Sequence, residues 1–156
     1  GSMEDQKSQS LTILYGTETG HAESIAHKME SEARSMGIDA RRRNMADFDI
    51  DHFKEVQNLA VIVSTHGIGE PPIASERLFY KLESGPSFSL ETIRYSVLAL
   101  GDTEYALFCQ AGKDFDLLLR KHGAQFIIPR VDCDVDFEWD AMNWIAEFLG
   151  AIKALS

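Results

Sequence analysis

The 156-residue chain reads as a doubly wound α/β domain, and three observations lead there. Short apolar runs recur without strict polar alternation, as strands buried on both faces of a parallel sheet require. Longer stretches of helical period separate them. The two kinds of segment alternate along a chain whose length suits one compact domain.

The strands are expected at Leu11 to Tyr15, Leu59 to Ser64, Tyr95 to Leu100 and Phe126 to Val131, with Asp39 to Arg43 as a more polar edge strand. Helical patterns cover Ala22 to Met36, Ser75 to Leu82, Gln110 to Lys121 and Glu138 to Leu155. Gly37 and Gly123 stand where helices commonly end. No internal repeat interrupts the order. Met3 behind Gly1 and Ser2 looks like a native start after an expression remnant, so residues 1–10 are expected to be a flexible N-terminus and residues 11–156 a single domain.

Composition narrows the function classes. Hydrophobic residues make up 44% and charged residues 26%, which excludes a disordered or fibrous chain. No apolar run approaches the roughly 20 residues of a membrane span, and nothing resembles a signal peptide, so no membrane is expected and the location read from the sequence is cytoplasmic. The net charge of −10 disfavours nucleic acid, whose phosphates would be repelled; a basic protein partner fits better. Two cysteines, Cys109 and Cys133, without CxxC spacing, point to ordinary reduced thiols rather than a disulfide framework or a metal site, with an activated Cys109 at a helix start as the lesser alternative.

In an open α/β sheet ligands bind beyond the carboxyl ends of the strands, where strand order reverses. The loops to read are therefore Gly16 to His21, Thr65 to Ile73, Gly101 to Phe108 and Asp132 to Phe137. In "YGTETGHAES", Thr17 and Thr19 offer hydroxyls, Gly20 allows close backbone approach, and the following helix aims its first N–H groups at an anion. No Lys follows Gly20 and no GxGxxG occurs, so neither a Walker loop nor a dinucleotide fingerprint is present. Neutral donors suit a phosphate that stays rather than one being transferred. Glu18 is expected to turn its side chain to solvent. The stretch "STHGIGEPP" joins two glycines to the stiff Pro71 and Pro72, a suitable edge for a flat polar ring. "LGDTEYALFC" contributes Tyr105, whose ring can cover such a ligand's face.

Taken together, "YGTETGHAESIA", "STHGIGEPP" and "LGDTEYALFCQAGKDFD" resemble the three FMN-contacting segments of the flavodoxin-like domain of diflavin reductases. The "GEPP" and "FCQAGKDFD" runs are most similar to the FMN domain of the sulfite reductase flavoprotein, and a free-standing short flavodoxin of that type remains open. The resemblance spans residues 11 to 155 in matching order. It implies a flavodoxin-like doubly wound five-stranded parallel sheet of order 2-1-3-4-5, with helices on both faces and one FMN. Thr17, Glu18, Thr19, Gly20, His21 and Ala22 match the phosphate loop. Ser64, Thr65, His66, Gly67, Ile68 and Gly69 match one edge of the isoalloxazine. Leu100, Gly101, Asp102, Tyr105, Phe108 and Cys109 match the other side, with Tyr105 stacking on the ring. Two positions depart from the pattern: His66 stands where many such reductases place an aromatic ring, and Cys109 where Asn is frequent. His66 either covers a flavin face or looks to solvent; Cys109 is expected to pack.

Competing chemistries fail on spacing. Asp132, Asp134 and Asp136 begin like a calcium loop, but Phe137 stands where Gly is needed and Asn143 where Glu is needed, so no metal is expected. Ser64 and His66 lack a GxSxG elbow for a hydrolase. A phospho-acceptor receiver would need acids where Thr17 and Thr65 stand. The resemblance then implies an electron carrier with no catalytic residues of its own, not expected to turn over NADPH alone. Its donor would be a flavin-containing NADPH-dependent reductase and its acceptor a haem or iron–sulfur protein, with the chain itself monomeric. Glu70, Asp102, Glu104, Asp134, Asp136 and Glu138 lie in or beside the ligand-end loops and together suit steering of a basic partner. An NAD(P)H quinone reductase and a flavin-binding module without redox turnover are the alternatives.

Overall fold

The computed structural model of the chain describes residues 9–16, 20–64, 76–85, 88–102 and 109–155. In chain order they form β1 (Ser10–Gly16), α1 (His21–Ser35), β2 (Asp39–Asn44), two 3₁₀ turns (Met45–Asp47 and Ile50–Glu55), β3 (Asn58–Ser64), α2 (Glu76–Ser84), β4 (Arg94–Leu100), α3 (Gln110–Lys121), β5 (Gln125–Phe126), β6 (Val131–Cys133) and α4 (Glu138–Ala154). The sheet runs β2-β1-β3-β4-β5, β6 pairs with β4 as well, and every pairing is parallel.

The apolar runs take the central places. Every residue of β3 but Ser64 is buried, and every residue of β4 but Arg94. Alternate side chains of the sheet feed two cores. On one face Leu11, Ile13, Ala60, Ile62 and Leu98 meet Ala26 and Met29 of α1 and Trp144 and Phe148 of α4. On the other, Leu14, Val61, Val63, Tyr95 and Val97 meet Leu78 and Leu82 of α2, Phe115 and Leu119 of α3, and Phe48 and Phe53 of the turn region. That two-sided burial is why the strands carry no polar alternation.

Both glycine stops work as the sequence suggests. After α1, Gly37 adopts φ +82°, its N–H bonds the Arg34 carbonyl at 3.1 Å, and the Ile38 N–H bonds that of Ala33 at 3.0 Å. After α3, Gly123 at φ +100° repeats the arrangement, with N–H groups of Gly123 and Ala124 reaching Arg120 and Leu119. Both are left-handed stops that satisfy the last helical carbonyls.

The polar strand "DARRRN" lies at the sheet edge, and side chains of α1 close its outer side. Glu30 accepts the Arg42 backbone N–H at 2.9 Å and pairs with the Arg42 guanidinium at 3.3 Å, while Arg34 donates to the Ala40 carbonyl at 3.0 Å. A capped edge of this kind resists pairing with another strand.

One expectation is corrected. The fifth strand, expected unbroken over Phe126 to Val131, is two segments, so the sheet counts six strands rather than five among the described residues. Pro129 has no N–H to give a ladder, and its carbonyl instead takes the Ser96 hydroxyl at 3.4 Å. Between β2 and β3 the chain forms the two 3₁₀ turns, on which the sequence reading is silent. Asp49 and His52 form a reciprocal cap that starts the second 3₁₀ turn, which buries Phe53. Among the described residues no helix is long and apolar enough to cross a membrane.

Candidate functional site

Strand order reverses between β1 and β3, so the chain leaves those two strands in opposite directions and opens a crevice beyond their carboxyl ends. Register brings the relevant ends level. Gly16 pairs with Val63, Ser64 with Leu100, and Leu100 with Cys133. All four loops singled out from the sequence therefore begin along one rim.

At the first of them Gly20 precedes α1 at φ +91°, in the left-handed region, and a Cβ there would meet nothing within 4 Å. Among the described residues no side chain caps this helix start. The helix is 15 residues long, and its first-turn N–H groups face the loop end of β1. His21 is exposed and its ring packs at 5.0 Å from that of Phe137; Ala22 is fully buried, so only its backbone can serve a ligand. Tyr15, just before the loop, has its hydroxyl pushed up by burial and then by the Glu23 carboxylate to which it donates.

On the other side of the rim, Ser64 is half-buried, Leu100 is core-packed at 5% exposure, and Gly101 and Asp102 are half-buried. The Gly101 N–H bonds the Cys133 carbonyl at 2.9 Å, which fastens the third loop to β6. Cys109 enters α3 at φ 56°, the one non-glycine residue with positive φ among those described. Its thiol reaches the Ala99 carbonyl at 3.4 Å and the Cys133 carbonyl at 3.5 Å. Burial pushes both thiols up to about 12, with Asp132 adding to the effect at Cys109 and Asp140 at Cys133. Cys109 packs, as expected; neither thiol is activated.

Thr17, Glu18, Thr19, Thr65, His66, Gly67, Ile68, Gly69, Tyr105 and Phe108 lie outside the described residues, as do Glu70 and Glu104.

Three features went unread in the sequence. Gly112 lets α3 lie against β4, because a Cβ there would stand 2.2 Å from that of Ala99. A glycine inside the helical pattern of "QAGKDFD" was the available signal. Phe137 backs the start of α1 through His21. Finally, the buried Asp116 accepts a short hydrogen bond from Tyr95 and pairs with Arg130 at 2.8 Å, and Arg130 pairs at 2.8 Å with Asp132. That chain of charges ties β4, α3 and β6 together beneath the rim. It also engages Asp132, the first acid of the calcium-like run. Burial, then the Asp116 hydrogen bond, raises the Tyr95 hydroxyl well beyond its ordinary range. Nothing in the local pattern announces such a network, since its members are far apart in the chain.

Comparison with known proteins agrees with this geometry. The family model described as Flavodoxin matches residues 13–147. The sulfite reductase [NADPH] flavoprotein alpha-component of Shewanella sp. (strain MR-4) is 41% identical over 150 residues, which is 96% of this chain and 25% of that protein. Its counterpart from Bacillus subtilis (strain 168) is 40% identical over 149 residues, 96% of this chain and 24% of that one. The chain thus spans about a quarter of the length of these relatives. Among solved structures, a mutant flavodoxin from Pseudomonas aeruginosa superposes with a TM-score of 0.80 at 27% identity, covering 93% of this chain and 99% of that one. The flavodoxin of Streptococcus pneumonia TIGR4 gives 0.83 at 26% identity, covering 94% and 99%. These likenesses do not favour a self-sufficient quinone reductase. With the strand order, the level loop ends and a family match over most of its length, the chain belongs to the flavodoxin family.

Proposed function

We propose that this chain is an FMN-binding electron-transfer module that takes electrons from a flavin-containing NADPH-dependent reductase and delivers them to a haem or iron–sulfur protein. FMN is the cofactor that its family and its relatives imply. When bound, FMN would supply the one-electron chemistry, while the protein supplies its binding and surroundings. The observation carrying the reading is the rim itself, where the ends of β1, β3, β4 and β6 stand level beside the start of α1.

The residues present fit the cofactor. A phosphate bearing negative charge suits the N-terminus of a 15-residue helix entered through a left-handed glycine, because N–H groups point at it and the helix dipole favours an anion. In this reading Thr17, Glu18, Thr19, Gly20, His21 and Ala22 hold the phosphate. Ser64, Thr65, His66, Gly67, Ile68 and Gly69 follow one edge of the isoalloxazine. Leu100, Gly101, Asp102, Tyr105, Phe108 and Cys109 follow the other, with Tyr105 excluding water from one face. Cys109 contributes through its backbone, since its thiol is engaged with two carbonyls. The acids around the rim favour a basic partner over an acidic one.

Titration of the apo-protein with FMN and with riboflavin tests the assignment. FMN should bind more tightly, by about 1–3 kcal/mol for each buried N–H that riboflavin leaves unpaired. Equal affinities would remove the phosphate loop from the proposal. The FMN-loaded chain should oxidise NADPH only when a flavin reductase is added; turnover by the chain alone would return the quinone reductase reading.

A further inference from the structure

Eight large apolar side chains stand exposed among the described residues, and three of them, Val135, Trp139 and Met142, lie just before or in the first turns of α4. Scattered exposed apolar residues are ordinary, but an exposed tryptophan and methionine on one helix face beside a groove are less so. Trp139 is 74% exposed and Met142 50% exposed, and their spacing of three places them on one helix face. Met142 is also one wall of a groove between α4 and α1, whose other apolar walls are Ile25, Phe137, Ala141 and Ile145, with Ser24, Lys28 and Glu138 at its polar margin. The groove measures about 150 Å³, room enough for one leucine side chain or aromatic ring. Phe137, at its end, is the residue packed on His21 at the start of α1.

We propose that the groove between α1 and α4, extended by Trp139 and Met142, is a docking site for a basic segment of a partner protein that inserts one large apolar side chain. Charge selects the occupant. Asp136, Glu138 and Asp140 are exposed at the same end of α4, Lys28 is the single cation lining the groove among the described residues, and the chain as a whole carries −10. A helix N-terminus alone accounts for acids in its first turn, but it does not account for an exposed tryptophan and methionine. Aromatic residues and methionine enriched at an exposed site are the composition of an interface centre, and the acids form its polar rim. A second copy of this chain would bring the same acids and the same net charge against it, so self-association is disfavoured. The inference rests on the electron-transfer reading only for what the partner does, because docking is measured without electron flow.

The test uses the FMN-loaded chain and two labelled helical peptides of about 14 residues, roughly four turns. One carries leucine along a single face and lysine elsewhere; the other has the same lysines and glutamine in place of leucine. Fluorescence anisotropy should show the leucine peptide binding at least about tenfold more tightly than the glutamine peptide. Trp139→Glu and Met142→Glu should each weaken the leucine peptide by a similar factor, although both variants add negative charge. Because both side chains are exposed, the variants should keep the parent's circular dichroism and flavin absorbance. Unchanged or tighter binding by Met142→Glu would overturn the proposal, since attraction would then come from charge alone. So would a parent chain whose sedimentation mass doubles with concentration and returns to the monomer in Met142→Glu, which would make a second copy the occupant. Failure of the parent to hold FMN would instead defeat the functional reading, and the peptide comparison would still decide the groove.

Discussion

The two helices that open onto the rim start in the same conformation by different means. Gly20 leads into α1 at φ +91° with no Cβ to resist it, whereas Cys109 leads into α3 at φ 56° with a full side chain. A left-handed residue other than glycine costs on the order of 1–2 kcal/mol. At Cys109 that cost is offset by complete burial and by the thiol's contacts to the Ala99 and Cys133 carbonyls. The first entrance relies on the absence of a Cβ; the second is locked to its neighbouring strands. Backbone strain is thus kept where tertiary contacts can hold it, and avoided by glycine where no described side chain does so.

The largest effect should come from the locked side. In Gly112→Ala the new Cβ would stand 2.2 Å from that of Ala99 and 3.1 Å from its Cα, so α3 must move off β4. A loss of about 3 kcal/mol or more in urea unfolding is expected, and Ala99→Gly in the same chain should recover a good part of it. An unaffected single variant would mean that the helix is not held at this distance.

Cys109→Val should cost about 2 kcal/mol, since it deletes the thiol donor and forces a branched residue into positive φ. Differential scanning calorimetry of the apo-protein would measure it free of ligand effects.

Alkaline pH probes the same lock. Both thiols have folded values raised to about 12 from an ordinary 9.0, so the native state holds its protons after the unfolded chain has released them. Their contribution is complete below pH 9 and shrinks as pH rises from 9 toward 12, at a limiting slope of about 1.4 kcal/mol per pH unit for each thiol. Cys109→Val should lower the slope of stability against pH in that window. Disulfide reagents should label neither thiol of the folded protein at about pH 8, below the ordinary thiol range; rapid native labelling would contradict the burial.

At the glycine entrance, Gly20→Ala adds a methyl that meets nothing within 4 Å, so its penalty is conformational alone, about 1 kcal/mol by thermal unfolding of the apo-protein. The smallest change is expected for Cys109→Asn. Asparagine tolerates the left-handed region and can donate to the same carbonyls, so its stability should stay within about 1 kcal/mol of the parent. A loss as large as valine's would show that volume, not backbone conformation, sets the preference.

Much of this was legible because it is periodic or local. Buried parallel strands read as continuous apolar runs, and the expected bounds of α3, Gln110 to Lys121, agree with the structure at both ends. Gly37 and Gly123 announced their helix stops. The site loops followed from where strands end, although ten of the eighteen residues assigned to them fall outside the described part of the chain. The 3₁₀ turns escaped notice because the link between Asp49 and His52 is a geometric pairing rather than a period.

By itself the amino-acid sequence determined the alternation of strand and helix, the helix stops, the loops that begin at the rim and the likeness that implies FMN. These are properties of neighbours along the chain, carried by periods of roughly two to four residues. Only the tertiary structure decided that the fifth strand divides at Pro129, that Cys109 takes positive φ, and that Gly112 marks a close approach. It also decided that, of two tryptophans in one helix, Trp144 is buried with its indole N–H on Ser96 at 2.8 Å while Trp139 faces outward. The residue type is the same, and both are helical. What separates them is which side of α4 meets the sheet, and that depends on contacts with residues as far as 48 positions away, which no local pattern encodes.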